Sequence, residues 1–239
     1  MKYLLYTEVI FESYGHAFKA FKNIGRGSKL FELKDGLVDY KLMGTGAGTG
    51  FSIWPDFKRY ALLLFFDAKE SIDNFIVKNE VFNWYIEHAS QLLVTVLKPV
   101  KGHGKWAGVV PFRYDANSID SKSPIAVITR ATIHTKSLFD FWLNVPRVAS
   151  FMHSAPALHQ VGIGEYPIFM QATFSIWENL EALKNAAYKN TIHADVIRKT
   201  RERRWYKEEL FAEFSVLQIN ARGSIFHKLQ PMKIMPILK

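Results

Sequence analysis

The sequence predicts an α+β fold in which two tandem ferredoxin-like units form a dimeric-type α/β barrel within one chain. One observation is that the predicted order strand–helix–strand–strand–helix–strand occurs twice along the 239 residues. A second is that landmarks recur in both halves: Phe66-Asp67 matches Trp177-Glu178, Trp84-Tyr85 matches Trp205-Tyr206, and Leu97 matches Leu217. Because the helices of such a unit cover one sheet face, the other face needs a partner. We therefore expect the two sheets to face each other, with a ligand cavity between sheet and helices.

The first unit is expected to span residues 1–110. Runs of β-branched and aromatic residues predict its strands at Lys2–Phe11, Asp39–Leu42 with an extension at Phe51–Trp54, Tyr60–Phe66 and Leu92–Val100. Helical spacing of apolar residues predicts helices at Tyr14–Phe21, Ala68–Val77 and Val81–Ser90. Lys101–Gly104 is expected to break the regular structure, and Arg113–Ser123 is interpreted as a polar linker.

The second unit is expected to span residues 124–219, followed by a basic tail at 220–239. Its predicted strands are Ile125–His134, Leu158–Gly164, Ile168–Trp177 and Glu213–Ile219. Its predicted helices are Ser137–Met152, with a bend near Pro146, Leu180–Ala187, Ile192–Arg203 and Tyr206–Ala212. On the third of these helices, His193 shares a face with Val196 and Ile197. A histidine there is either a hydrogen-bonded core or surface residue, or a ligand.

The composition excludes several kinds of site. The chain has no cysteine, which excludes disulfides, zinc ribbons, iron–sulfur clusters and thiolate-ligated haem. It has no apolar run long enough for a membrane span, and Glu8 and Glu12 come too early for a signal peptide, so we expect a cytoplasmic protein. The net charge of +9 indicates acidic partners, which could be nucleic acid, anionic lipid or ligand carboxylates.

Local motifs give few indications of a catalytic or cofactor-binding site. The run Gly44–Gly50 lacks the third glycine of a dinucleotide-binding motif, because Thr49 stands there and no helix follows, so a glycine-rich strand end or bulge is predicted. The histidines are scattered, which gives a multi-histidine zinc site little support. The basic run Arg198–Arg204 is either a solvated helix face or a source of guanidinium donors to carboxylates. No nucleic-acid partner is predicted, since no nucleic-acid-binding motif accompanies the basic residues.

The C-terminal tail, Ala221–Lys239, contains four basic residues and no acidic one. Interleaved apolar side chains, including Ile225, Phe226, Ile234 and Ile237, make it a candidate for peripheral contact with an anionic membrane. A tail that packs on the barrel, or a disordered one, is the alternative.

Several strings, in order along the chain, resemble the spheroidene monooxygenase family. They are Lys41–Gly44, Trp106–Gly108, Pro111-Phe112, Thr129–Ile133, Gly162–Glu165, Thr173–Trp177, His193, Ile197-Arg198, Arg201, Trp205 and Glu208–Leu210. The resemblance runs from about Asp39 to Leu217. It implies oxidation of an acyclic carotenoid at the carbon beside the end group, giving hydroxy and then keto products. It also implies a haem-type iron cofactor, dioxygen and an external electron donor such as a ferredoxin.

The resemblance also implies roles for individual residues. With cysteine absent, His193 is the first choice as ligand of a haem b iron, and His134, His153 and His159 are the alternatives. Arg198 and Arg201 would serve the haem propionates or fix the helix that carries the ligand. Met170, Phe174 and Trp177 would line the pocket and control the access of dioxygen and substrate. Arg130 is a second candidate for anion pairing, although a structural pairing with Glu165 is an equal alternative. The family often has histidine at the position of Met170, so the distal chemistry or the substrate could differ here.

Two other functions stay open at this point. A haem-dependent dehydratase or peroxidase-like enzyme acting on a smaller substrate would use the same barrel, so the fold does not decide between them. A non-catalytic haem or lipid carrier is the third hypothesis. The sequence does not specify the oligomeric state.

Overall fold

The computed structural model describes residues 1–26, 30–48, 50, 52–118, 120–154, 156–166, 168–189, 198–200 and 202–232, with only the backbone at 147–154 and 187–189. The elements of the first half are β1 (Tyr3–Ile10), α1 (Tyr14–Arg26), β2 (Leu37–Gly46), β3 (Pro55–Phe66), α2 (Lys69–Lys78), α3 (Glu80–His88) and β4 (Gln91–Gly104). Those of the second half are β5 (Ile125–Ile133), α4 (Leu138–Ser154), β6 (His159–Tyr166), β7 (Met170–Trp177), α5 (Leu180–Lys189) and β8 (Tyr206–Arg222).

Within the described part of the chain, eight antiparallel strands close into a barrel in the order β1-β3-β2-β6-β7-β5-β8-β4. The first half contributes β4-β1-β3-β2 and the second half contributes β8-β5-β7-β6, which is the same ferredoxin-like order. The halves join where β2 pairs with β6 and where β4 pairs with β8. The predicted tandem barrel within one chain is therefore confirmed. The limits of the two units, 1–110 and 124–219, stay a prediction.

The barrel interior is a continuous apolar core supplied by both halves. Because side chains alternate across a strand, every second residue points inward, as Leu63 and Phe65 of β3 and Phe174 of β7 do. Phe226 and Leu229, which follow β8, are also fully buried in this core. This first part of the predicted tail therefore packs on the barrel, and Phe226 is not available for membrane insertion. Ile234 and Ile237 lie outside the described residues.

Three differences from the sequence predictions concern the strands that close the barrel. Tyr206–Ala212 is not a helix but the start of β8, which pairs with β5 from Ile133–Tyr206 onward. Lys101–Gly104 does not break the structure, because it continues β4 and pairs with β8. Consequently Trp84-Tyr85, which lie on α3, do not correspond to Trp205-Tyr206 at the start of β8. The predicted helix Ile192–Arg203 falls largely outside the described residues.

Among the helices that the structure describes, none combines the length and apolar character needed to cross a bilayer.

Candidate functional site

The pairing register allows the two sheets to be compared position by position. Tyr3 pairs with Phe66 at the end of the β1–β3 ladder, and Ile125 pairs with Trp177 at the equivalent end of the β5–β7 ladder. The outward-facing residue Thr7 therefore corresponds to Thr129. By the same register, three further outward-facing positions correspond as Leu62 to Thr173, Leu64 to Ser175 and Leu42 to Gly162.

At three of these four positions the second sheet carries small residues where the first sheet carries leucines, and threonine stands in both sheets at the fourth. In the first half, Leu62 and Leu64 are fully buried beneath the helices. In the second half, Thr129 is exposed, and Thr173 and Ser175 are only half-buried. We call Thr129, Gly162, Thr173 and Ser175 the small-residue floor. Because the side chains at these positions are small on the second sheet, the outer face of that sheet is the candidate site for a ligand.

Two separate apolar clusters flank the small-residue floor. At one end, Phe141 and Val145 of α4 pack with Ile133 and Trp205. At the other end, residues of α5 pack on Ile125, Val127, Ala157 and Trp177. From Val127 to Ile133 the strand advances about 20 Å, at the usual rise of an antiparallel strand. The floor is therefore a strip of small side chains between two apolar walls, and Trp177 of one wall donates its indole N–H to the Ser175 hydroxyl at 2.9 Å.

The glycine-rich run between β2 and β3 reaches the edge of this floor. Gly50 has a φ of +84°, and a Cβ atom there would lie 2.5 Å from the carbonyl oxygen of Gly162. The ladder between β2 and β3 shifts register between Gly44 and Thr45. The run therefore forms a glycine-rich strand end with a bulge, as predicted, and lets two backbones approach closely.

A buried ionic cluster lies inside the barrel. The Glu8 carboxylate accepts hydrogen bonds from Arg59 Nε at 2.7 Å, from His159 Nε2 at 2.8 Å and from the Tyr6 hydroxyl at 2.9 Å. Burial alone would raise the pKa of Glu8, but His159 and Arg59 outweigh it through their charges and hydrogen bonds and lower the pKa to about 2. Burial, together with the charge of Glu8, raises the pKa of Tyr6 well above its ordinary value.

A second ionic cluster surrounds Arg130, which occupies the position in β5 that Glu8 occupies in β1. Its guanidinium binds Glu208 and lies 3.4 Å from Glu165, which also accepts the Trp106 indole N–H. Glu208 in turn accepts hydrogen bonds from two backbone N–H groups in the turn after β4, those of Ala107 at 2.9 Å and Gly108 at 2.6 Å. Burial would raise the pKa of Glu208, but these N–H donors and Arg130 outweigh it and lower the pKa below its ordinary value.

The structure does not bring the predicted site residues to one place. Trp177 lies on the outer face, in the wall beside the floor. Phe174 points into the barrel, where its ring stacks on Tyr6 at 3.6 Å, and Arg130 also faces inward. Met170 begins β7, opposite Tyr166. Arg198 is exposed and pairs with Glu202 at 3.0 Å. His193 and Arg201 lie outside the described residues, and the roles assigned to all of these residues stay predictions.

Sequence reasoning missed Glu8 and Arg59 as the centre of a buried cluster. The sequence does contain an indication of this cluster, because Glu8 lies within the apolar strand Leu4–Ile10 and on the same face as Leu4 and Tyr6. A charge at such a position is buried and needs a partner. That partner was not identifiable, since Arg59 and His159 come from two other strands. Among the described residues, no group of three or more histidine or acidic side chains is placed to hold a metal ion.

The fold and the one-sided floor define a protein of the tandem α/β-barrel class with a candidate ligand site on its second half. A solved structure of aldoxime dehydratase shares this fold, with a TM-score of 0.64 and 12% identity, covering 90% of this chain and 81% of that one. The spheroidene monooxygenase of Rhodobacter capsulatus is 34% identical over 180 residues, which cover 74% of this chain and 75% of that protein. The chain therefore belongs to the spheroidene monooxygenase family, and its enzyme class is that of an oxygen-using monooxygenase.

Two further relatives agree with this membership. The spheroidene monooxygenase of Rubrivivax gelatinosus is 32% identical over 181 residues, which cover 75% of this chain and 68% of that protein. The spheroidene monooxygenase of Cereibacter sphaeroides is 28% identical over 180 residues, and this chain spans only 55% of its length. No family model matches the chain.

Proposed function

We propose that the protein is a haem-dependent monooxygenase that hydroxylates, and then ketolates, an acyclic carotenoid or a similar apolar polyene. The names of its relatives support a monooxygenase that acts on a carotenoid. We choose this site because of the small-residue floor, where the second sheet has glycine, threonine and serine at positions that are leucine in the first sheet.

The residues around the floor fit a planar macrocycle. Their small outward side chains leave a strip of low bulk, and the apolar walls at either end, where Trp142 and Leu183 are only partly buried, suit the edges of an apolar ring. Haem b would supply the activation of dioxygen. We propose His193 as the iron ligand and Arg198 and Arg201 as partners of the propionates. In this role Arg198 exchanges its exposed pairing with Glu202 for a propionate.

The chain's own side chains would bind and orient the polyene. An apolar substrate gains free energy when it leaves water, so the partly buried apolar side chains at the walls, such as Trp142 and Leu183, favour its binding beside the floor. The hydrogen bond from Trp177 to Ser175 fixes the indole ring in the wall. Met170 stands at the start of β7, and we propose that it limits access to the site. The proposed electron donor is a ferredoxin, and the proposed location is the cytoplasm at the inner face of the membrane.

The test is a turnover assay on the full chain loaded with haem, with a detergent-dispersed acyclic carotenoid, a ferredoxin reducing system and ¹⁸O-labelled dioxygen. We expect mass spectrometry to detect hydroxy and then keto products that carry the label. Product formation from a small substrate without dioxygen would instead support the dehydratase alternative. Bound haem with no product from either substrate would support a carrier.

A further inference from the structure

The first helix exposes its aromatic residues and buries its small ones. On α1, Tyr14, Phe18 and Phe21 are 76%, 58% and 49% exposed, while the face that meets the sheet carries Ala17 and Ala20. This arrangement is the reverse of the usual one, in which an amphipathic helix turns its large apolar side chains toward the core.

Hydrogen bonds hold the helix in this orientation. Asn23, also on the buried face of α1, donates from its side-chain amide to the Tyr85 hydroxyl at 3.1 Å. The Tyr60 hydroxyl, which donates to the Phe57 carbonyl at 2.7 Å, also lies 3.3 Å from the backbone carbonyl of Ala17. Rotating the helix to bury its aromatic rings would break both contacts and bring Asn23 toward solvent. The aromatic side chains therefore face outward as a stable feature of the fold.

The exposed aromatic surface extends beyond α1. The Phe57 ring lies 5.9 Å from the Phe21 ring, and the neighbouring Ile53 and Trp54 are 54% and 75% exposed. We call Tyr14, Phe18, Phe21, Trp54 and Phe57 the aromatic face. Contiguous exposed apolar surface of this kind marks an interaction site.

Basic side chains stand among these aromatic rings. Lys22 Nζ lies 4.7 Å from the centroid of Phe18, and Lys58 Nζ lies 3.9 Å from the centroid of Tyr14. The sequence of α1 contains no acidic residue. The acidic neighbours are Glu12, before the helix, and Asp56, whose carboxylate already accepts the Lys58 backbone N–H.

We propose that the aromatic face docks the protein on an anionic lipid bilayer. Aromatic side chains favour the boundary between headgroups and acyl chains, and lysines beside them are attracted to anionic headgroups. A second copy of the chain fits less well, because a twofold contact through the same face would bring Lys22 and Lys58 of the two copies together. Such docking would give the protein the surface from which it collects an apolar polyene, a role that rests on the proposed function.

The aromatic face is also connected to the candidate site. Trp54 belongs to the β2–β3 connection and Phe57 to the start of β3, and Gly50 of the same connection lies against the backbone of Gly162 in the small-residue floor. A bilayer bound at this face therefore lies beside an element that contacts the floor.

Vesicle co-sedimentation of the full chain, without haem or substrate, tests the docking proposal. We expect the protein to bind vesicles of phosphatidylcholine with phosphatidylglycerol, and to bind pure phosphatidylcholine vesicles less. The double variant Phe18→Ser/Phe21→Ser should lower binding about tenfold or more, because both apolar rings are lost from the contact. Each of Lys22→Gln and Lys58→Gln should lower binding to the anionic vesicles about fivefold.

Phe139→Ser is the matched control, because Phe139 is 79% exposed on α4 of the other half, and it should leave binding unchanged. Circular dichroism verifies that every variant is folded. Wild-type protein that stays in the supernatant, or a Phe18→Ser/Phe21→Ser variant that binds like wild type, would overturn the proposal. So would a wild-type dimer that becomes monomeric in this variant while vesicle binding is absent. Docking without carotenoid turnover would contradict the proposed function alone.

Discussion

At the scale of single residues, the two halves place charges of opposite sign at one equivalent inward position. Glu8 in β1 is held by Arg59 and His159, and Arg130 in β5 is held by Glu208 and Glu165. Removing one partner of a buried ion pair leaves an uncompensated charge, which costs far more than losing an exposed pair. Each charge in these clusters therefore depends on its partners in the barrel interior, on the face opposite the small-residue floor.

The pKa of Glu8 predicts a pH dependence of stability. Its folded pKa is about 2, below the ordinary value of 4.5, so the unfolded chain binds its proton more readily. The contribution of Glu8 is fully present above pH 4.5 and is lost as the pH falls from about 4.5 to 2, by about 3 kcal/mol in total. Glu8→Gln should lower the free energy of unfolding at pH 7 by about 3–5 kcal/mol and remove this acid-dependent loss.

Urea unfolding between pH 2.5 and pH 7 measures both effects. The control is Glu178→Gln, at an exposed position after β7, which should follow the wild-type curve. An unchanged acid limb in Glu8→Gln would assign the acid sensitivity to other carboxylates.

At the scale of elements, the sequence predicts β5 and β7 more accurately than it predicts the start of β8. Ile125–Ile133 and Met170–Trp177 agree closely with their predictions because β-branched and aromatic residues dominate them. The first part of β8 was mispredicted because Glu208 and Glu209 suit a helix. In the barrel Glu208 points inward to Arg130, a contact that no local pattern contains. The small-residue floor could not be predicted from the sequence, because the strand pairing registers are needed to show that Thr173 and Ser175 correspond to Leu62 and Leu64.

The β2–β3 connection offers a matched pair of glycine substitutions. Gly48 and Gly50 both have positive φ, but a Cβ at Gly48 meets nothing within 4 Å, whereas one at Gly50 would collide with Gly162. Gly48→Ala should cost about 1 kcal/mol from backbone strain alone. Gly50→Ala should cost about 2–4 kcal/mol, because the two backbones must also separate. Thermal unfolding measures the difference, and equal losses would mean that the contact with Gly162 adds nothing to stability.

At the scale of the whole molecule, the two seams between the halves are unequal. Among the described residues, the β2–β6 ladder consists of Gly44–Gly164 and Thr45–Ile163, whereas the β4–β8 ladder runs from Leu92–Arg222 to Gly104–Leu210. Both halves also fill one interior core. Neither half can bury the inner face of its sheet alone, so the barrel is the folding unit although the chain contains two similar topologies.

This shared core predicts that residues 1–110, expressed alone, give an insoluble or molten product. Exposure of Leu63, Phe65 and Leu93 should produce strong binding of a hydrophobic dye and loss of the near-ultraviolet circular dichroism. Co-expression with residues 111–239 is the control and should restore a soluble complex. A sharp thermal transition in the isolated half would mean that its sheet is stable without the partner sheet.

The most direct test of the central claim is a haem titration of the full chain, followed by absorption spectroscopy. Thr173→Leu/Ser175→Leu restores the residues of the first sheet and fills the floor, while Thr132→Val, on the inner face of β5, is the control. We expect wild type and Thr132→Val to bind one equivalent of haem with the same Soret band. The double variant should remain folded and lose at least about tenfold in affinity, since the added side chains occupy the ligand's space. An unchanged affinity and Soret band in the folded double variant would contradict the assignment of the site to this floor.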